Sequence, residues 1–250
     1  MFSWYEDSKI CYAYLSDIIS TGRAVGESPL GLVRTDQFAA DFRKCRWLTR
    51  GWCLQELLAP RHVLFLDQDW REIGTRHLLS SLISDITGIP KTLLTTPRRT
   101  KVSNFPIAVR ISWISKRQTT RIEDMSYSLL GILGVNMPTI YGEGPDAFMR
   151  LQGEIVRKYN DLSIFAFHSE QTLCGFTPAL AHRPSCFHIN PAAGTYNKES
   201  HYLGSWLNTQ FSLTNRGIIF PNATLRYQKA PGLGHQYLLD LHYLGKRSDQ

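Results

Sequence analysis

Glu56 is the side chain whose setting best suits chemistry. It lies in the span Cys45–Pro60, CRWLTRGWCLQELLAP, which carries two tryptophans, two arginines and a single acid. Pro60 cannot extend a helix, so the pattern predicts a short helix over Trp52–Leu58. The apolar run His62–Leu66 that follows reads as a buried parallel strand. On the helix, Trp52 and Glu56 stand one turn apart on one face, while Cys53 and Leu57 share the core face. The carboxylate therefore projects beside an indole, near the C-terminal edge of an α/β sheet, where open sheets bind ligands. The indole can stack on a flat ring or brace the helix. Glu56 can act on a ligand, or it can pair with Arg46 or Arg50 and hold the fold. Arg50, Trp52 and Asp67 are the candidate ligand-binding residues. Asp67 follows the end of the strand, where it can meet a ligand or simply close a turn.

Other chemistries find less support. Cys53 has no histidine partner to activate it as a nucleophile. Cys174, His182, Cys186 and His188 are spaced C-x7-H-x3-C-x-H, unlike the paired C-x2-4-C of zinc sites, so no metal is expected. No Gly-x-Ser-x-Gly or His-Glu-x-x-His is present. Gly142 and Gly144 are not followed by Gly-Lys-Ser/Thr and make no phosphate loop.

The elements that must hold this helix can be read around it. Residues 2–9 read as the end of a helix and residues 10–15 as a strand. Residues 18–44 form a loop with a short helix near Asp36–Phe42. Leu78, Leu79, Leu82, Ile83 and Ile86 form a helical stripe over 75–87, stopped by Gly88 and Pro90. Residues 91–105 read as a basic loop and 106–118 as a helix or turn around Trp113. Thr120 and Glu123 fit a capping box opening a helix to about Leu133, with Arg121 and Asp124 in surface ion pairs. Gly144 as N-cap and Pro145 as first residue open a helix to about Tyr159, with Phe148, Leu151 and Ile155 buried. Ser163–Phe167 reads as a strand. Short β-like runs follow at Gln210–Leu213, Gly217–Phe220, Ala223–Tyr227 and Gln236–Tyr243. The expected division is 1–160 and 161–250, the second part β-rich.

Composition fits this picture. Of the 250 residues, 43% are hydrophobic and 20% charged, as in ordinary globular proteins. No apolar run approaches the roughly 20 residues of a membrane helix, and no secretory signal opens the chain. Five scattered cysteines suit free thiols in a reducing compartment, hence a cytoplasmic protein. The net charge of +7 owes much to Lys91–Arg121, which contains no acid. With no nucleic-acid motif there, the basic stretch reads as solvated surface, and neither nucleic acid nor membrane is an expected partner.

Four ordered blocks carry a resemblance. They are Cys11–Asp17 (CYAYLSD), Trp47–Pro60, Ser112–Trp113 with Lys116–Asp124 (KRQTTRIED), and Leu130–Pro138 leading into Tyr141–Gly144. Together they closely resemble the fungal heterokaryon-incompatibility (HET) domain. The core Trp52-Cys53-Leu54-x-Glu56-Leu57 is also similar to the glutamate-bearing helix of Toll/interleukin-1-receptor-like (TIR) domains. The resemblance implies an α/β fold, an incomplete TIR-like three-layer domain with additional helices, then a small β-rich region. It places Met1 inside the domain, two strands short of its start, which would leave a sheet edge open. It implies an effector or signalling part in fungal nonself recognition and programmed cell death. Protein partners or self-association are then expected, without a cofactor. TIR-like enzymes use the matching glutamate to cleave the nicotinamide–ribose bond of NAD. Glu56 would then stabilise a cationic ribose, with NAD as substrate. Without the first strands, this chain is expected to be inactive, and a degenerate remnant is the blander reading.

Overall fold

The computed structural model describes residues 1–19, 36–96, 100–167, 179–187, 211–214, 217–220, 224–230 and 234–240. In chain order the first elements are α1 (Phe2–Glu6), β1 (Cys11–Tyr14), α2 (Asp36–Lys44), α3 (Arg46–Thr49), α4 (Cys53–Leu58), β2 (Val63–Leu66) and β3 (Glu72–Thr75). Then come α5 (Ser80–Thr87), α6 (Lys91–Thr95), α7 (Ile107–Ser112), α8 (Asp124–Tyr127), α9 (Leu130–Leu133) and α10 (Asp146–Lys158). Two hairpins follow: β4 (Ser212–Thr214) with β5 (Gly217–Ile219), and β6 (Thr224–Ala230) with β7 (Gly234–Asp240).

The central sheet has the order β1-β2-β3. β1 and β2 run parallel, in register from Cys11–Val63 to Tyr14–Leu66. β2 is nearly continuous in apolar residues because both its faces are covered, and Val63, Phe65 and Leu66 are buried. β3 is antiparallel to β2, so the sheet is mixed α/β and not purely parallel. The hairpin between them turns on Asp67, whose side chain accepts from the Asp69 and Arg71 backbone N–H groups at 2.9 and 2.8 Å. Trp70 closes that turn at φ 61°, a conformation L residues seldom adopt. Its exposed ring stacks on Tyr14, with centroids 4.7 Å apart.

α4 forms as expected. Cys53, Leu54, Leu57 and Leu58 are buried, and Trp52, Glu56 and Ala59 line the half-buried face. Leu54 and Leu57 are fully enclosed, and truncating either to alanine should cost about 2–5 kcal/mol. The end of α4 is sealed by Arg76, a buried guanidinium just past β3. It donates to the carbonyls of Leu57 and Arg61. Arg76 thereby satisfies acceptors a helix end leaves open.

Several expectations change. Leu78 is exposed, because α5 begins only at Ser80, so the buried stripe starts at Leu79. Residues 91–105 are not a loop. They contain α6, which buries Leu93 and Leu94, and a 3-10 turn over Val102–Asn104. The helix expected over 120–133 is split into α8 and α9. Thr120 and Glu123 form no capping box. Glu123 is buried and its Oε1 accepts from the N–H groups of Gly142 and Gly144, at 2.7 and 3.1 Å. Arg121 lies over the Tyr141 ring and Asp124 accepts from the Tyr141 hydroxyl, in place of ion pairs. Pro145, not Gly144, is the N-cap of α10. The run Ser163–Phe167 is no strand. Asp161 accepts from the Ser163 N–H and starts a 3-10 turn, Leu162–Phe165.

α10 carries its expected stripe, Phe148, Leu151 and Ile155, all buried. Gln152 lies in that stripe and is paid back for burial on both sides: Nε2 donates to Ala181 O at 2.6 Å and Oε1 accepts from Ala181 N–H at 2.9 Å. The core continues through Ile164, Ala181, Cys186 and Phe187. Gly131 lets α1 approach α9: a Cβ there would stand 2.2 Å from Phe2 Cβ. No helix among the described residues is long and apolar enough to cross a membrane.

Candidate functional site

Glu56 faces α1. Its Oε1 accepts from the Tyr5 hydroxyl at 3.3 Å. Arg46 and Arg50 are exposed, and neither forms an ion pair with it among the described residues. The neighbour Cys11 is the first residue of β1 and pairs with Val63, the first of β2. The Glu56 charge helps raise the pKa of Cys11, behind the larger effect of burial. Glu56 therefore lies toward the strand starts, not the C-terminal edge expected from sequence. The reason is that the carboxylate is carried in the second half of α4, which descends toward the start of β2.

Beneath this face lies a buried polar layer. Burial pushes the Cys53 thiol up to about 12, with Glu56 adding to the shift and Arg117 and Arg50 opposing it. Such a thiol stays protonated and is a poor nucleophile. Burial, then Glu56, raises the Tyr5 phenol to about 12. Arg117 is buried. Its Nε donates to Trp113 O at 3.3 Å and its Nη1 to Arg50 O at 2.9 Å, while Nη2 has no partner. Desolvation lowers its pKa to about 10, and the Cys53 and Glu56 charges work against that.

Arg117 and Tyr5 were missed by sequence reasoning. Arg117 sits in the basic run read as solvated surface, yet it and Arg110 are 5% and 6% exposed, while Lys91, Lys101, Lys116 and Arg121 do face solvent. The available signal was their apolar context, VRISWISKR, in which Arg110 and Arg117 fall seven residues apart. Arg98 and Arg99 lie outside the described residues.

Trp52 joins Glu56 on the half-buried face of α4. Arg50 contributes backbone, pairing through a single parallel bridge with Gln118. Asp67 is fully buried and serves its own hairpin turn, the structural alternative of the two weighed. It follows the last residue of β2, at the opposite end of the strand from Cys11 and Glu56. The structure thus leaves Trp52 and Glu56 on one half-buried face and sets Asp67 apart. Trp47 and Trp113 are buried core residues. Among the described residues no group of side chains could hold a metal ion. Cys186 Sγ lies 3.6 Å from His182 Nδ1, and Cys174 and His188 are outside the described residues.

What the Glu56 face can do is limited and specific. One carboxylate that accepts from the Tyr5 hydroxyl and the Cys53 thiol keeps acceptor capacity for a cation or for sugar hydroxyls. The indole beside it offers a stacking surface. The surrounding frame is a mixed α/β sheet under many short helices, which matches no solved structure and no family model. Over 156 residues, however, the chain is 43% identical to the vegetative incompatibility protein HET-E-1 of Podospora anserina. The match covers 62% of this chain, and the chain spans 11% of the length of that relative. The chain is thus related to a fungal incompatibility protein.

Proposed function

We propose that this chain serves in fungal heterokaryon (vegetative) incompatibility, as an effector or signalling module linked to programmed cell death. The observation that carries this reading is the 43% identity to HET-E-1. Assignment to the HET domain, a TIR-like sheet and a cytoplasmic place of action belong to the same proposal. The module works through protein partners or self-association and uses no cofactor. Support comes from β1, at the edge of the sheet order among the described residues. Tyr12 and Tyr14 alternate along it, 60% and 39% exposed, Ile10 just before it is 39% exposed, and Trp70 adjoins Tyr14. Apolar side chains on an edge strand suit pairing with another chain.

A second reading is NAD cleavage through Glu56. What favours it is the pairing of Trp52 with a carboxylate that retains acceptor capacity. Both readings meet one experiment. The chain and its Glu56→Gln and Tyr12→Glu variants are induced in a fungal host, with killing and NAD content scored together. The expected result is killing by wild type and Glu56→Gln without NAD loss, and none by Tyr12→Glu. NAD loss that disappears in Glu56→Gln, by about 10²–10³ in rate, would replace the module with the enzyme. No killing by any of the three would leave an inactive remnant.

A further inference from the structure

A groove of about 680 Å³ opens between α1, the end of α4, α6, the 100–103 turn and α9. Ligand sites typically occupy about 300–1,000 Å³. Glu56 is not among its lining residues. The walls are largely apolar, from Phe2, Leu58, Leu93 and Ile132. Set into them are three cations, Arg61, Lys101 and Arg110, against one carboxylate, Glu6.

Arg110 is the unusual member. It is only 6% exposed, and none of the ion pairs among the described residues includes it. Nη1 donates to Ile132 O at 3.2 Å, but Nε has no acceptor. Asp161 acts on it at longer range, and its carboxylate already serves the N–H groups of Ile107 and Ser163. An unpartnered buried guanidinium donor is costly, and Arg110 lines the groove, so acceptors of a ligand there can approach the guanidinium. The nearby carbonyl of Gly134 is occupied by Lys158 and Tyr159, so it does not compete for the cations.

We infer that this groove binds a small phosphate-bearing organic molecule, the phosphate at Arg110 and Lys101 and the body against the apolar wall. Guanidinium and ammonium groups together suit a phosphate's charge and its several acceptor oxygens. The site is independent of the Glu56 reading and stands or falls separately.

Isothermal titration of the whole chain with adenosine monophosphate, adenosine and inorganic phosphate tests it. The nucleotide should bind saturably and more tightly than either fragment. Arg110→Met should weaken it by about tenfold or more, while the melting temperature holds or rises, because an orphaned polar group has been removed. Lys101 is exposed, so Lys101→Glu should keep the fold and lose binding to a similar degree. Glu56→Gln should bind as wild type. The inference is overturned by absent saturation, by adenosine binding as tightly as its monophosphate, or by wild-type affinity in Lys101→Glu. An equal loss in Glu56→Gln would overturn the claim of a separate site. Should Arg110→Met unfold, Lys101→Glu decides the matter alone.

Discussion

Glu123 and Glu143 are wired into the loop that joins α9 to α10, whereas Glu56 is held by one phenol and a thiol of its own helix. Glu123 accepts from two glycine N–H groups. Glu143 meets Arg150 in an ion pair and accepts from Tyr127 at 2.7 Å. Tyr127 also accepts from Ile140 N–H, and Arg150 donates to Pro138 O. In the loop, acid and donors form a closed network, so acidity there is spent on architecture. At α4 the acid has only the Tyr5 phenol and the Cys53 thiol, with a buried arginine donor left unpaired behind it and Trp52 on the same helix face. The contrast separates glutamates that shape the chain from one left open to a ligand or a partner.

The largest test of that contrast is Tyr127→Phe. It should cost about 1–3 kcal/mol in urea unfolding, since the buried phenol loses its bonds to Ile140 and Glu143. A loss under about 0.5 kcal/mol, the range of ordinary surface changes, would mean the network is not structural. Acid should discriminate next. Its own backbone N–H, then those of Gly142 and Gly144, hold the Glu123 carboxyl below the usual range. Arg150 first, then Tyr127, does the same for Glu143. A carboxyl whose folded pKa lies below its unfolded value adds stability above the unfolded value. That contribution is lost as pH falls through the folded one. Urea midpoints should therefore drop between about pH 5 and pH 2, and less steeply in the Glu123→Gln, Glu143→Gln double variant. Equal slopes would refute the assignment. The smallest effect belongs to Glu56→Gln, about 0.5 kcal/mol or less, because one half-exposed bond is exchanged for another. Ultraviolet titration of Tyr5 sharpens the point: its pKa should come down from about 12 yet stay above 10.0, as burial is the larger cause. A full return to the ordinary value would make Glu56, not burial, the dominant neighbour.

The sequence made α4 and β2 legible because their cues agree. A terminating proline, an apolar face and a β-rich run point one way. α10 and the short strands after residue 211 were readable for the same reason, though not how those strands pair. The β2–β3 hairpin was hidden, because its left-handed turn position holds Trp70 where glycine or asparagine would be the cue. The break between α8 and α9 was hidden as well. Thr120-Arg-Ile-Glu123 satisfies a local rule, and only the arrival of Gly142 and Gly144 shows where that carboxylate goes. At the site, the Trp52–Glu56 pairing followed from helical spacing. Tyr5 and Arg117 did not, since they reach it from 51 residues upstream and 61 downstream of Glu56 (56 − 5 and 117 − 56). Local pattern carries no record of such meetings, and a basic residue in an apolar run looks the same whether its head escapes to water or not.

Arg76 bears on how the molecule comes apart. Its one guanidinium ties the last carbonyls of α4 and of the following turn to the strand that closes the hairpin. Peeling β3 away would strand those carbonyls and a buried charge together. Fraying α4 would do the same from the other side. Amide protons of α4, β2 and β3 should therefore exchange with solvent as a single opening unit, with slow and matched protection, while α1, which has no fully buried residue and is held by the Tyr5 bond and the packing of Phe2, opens earlier.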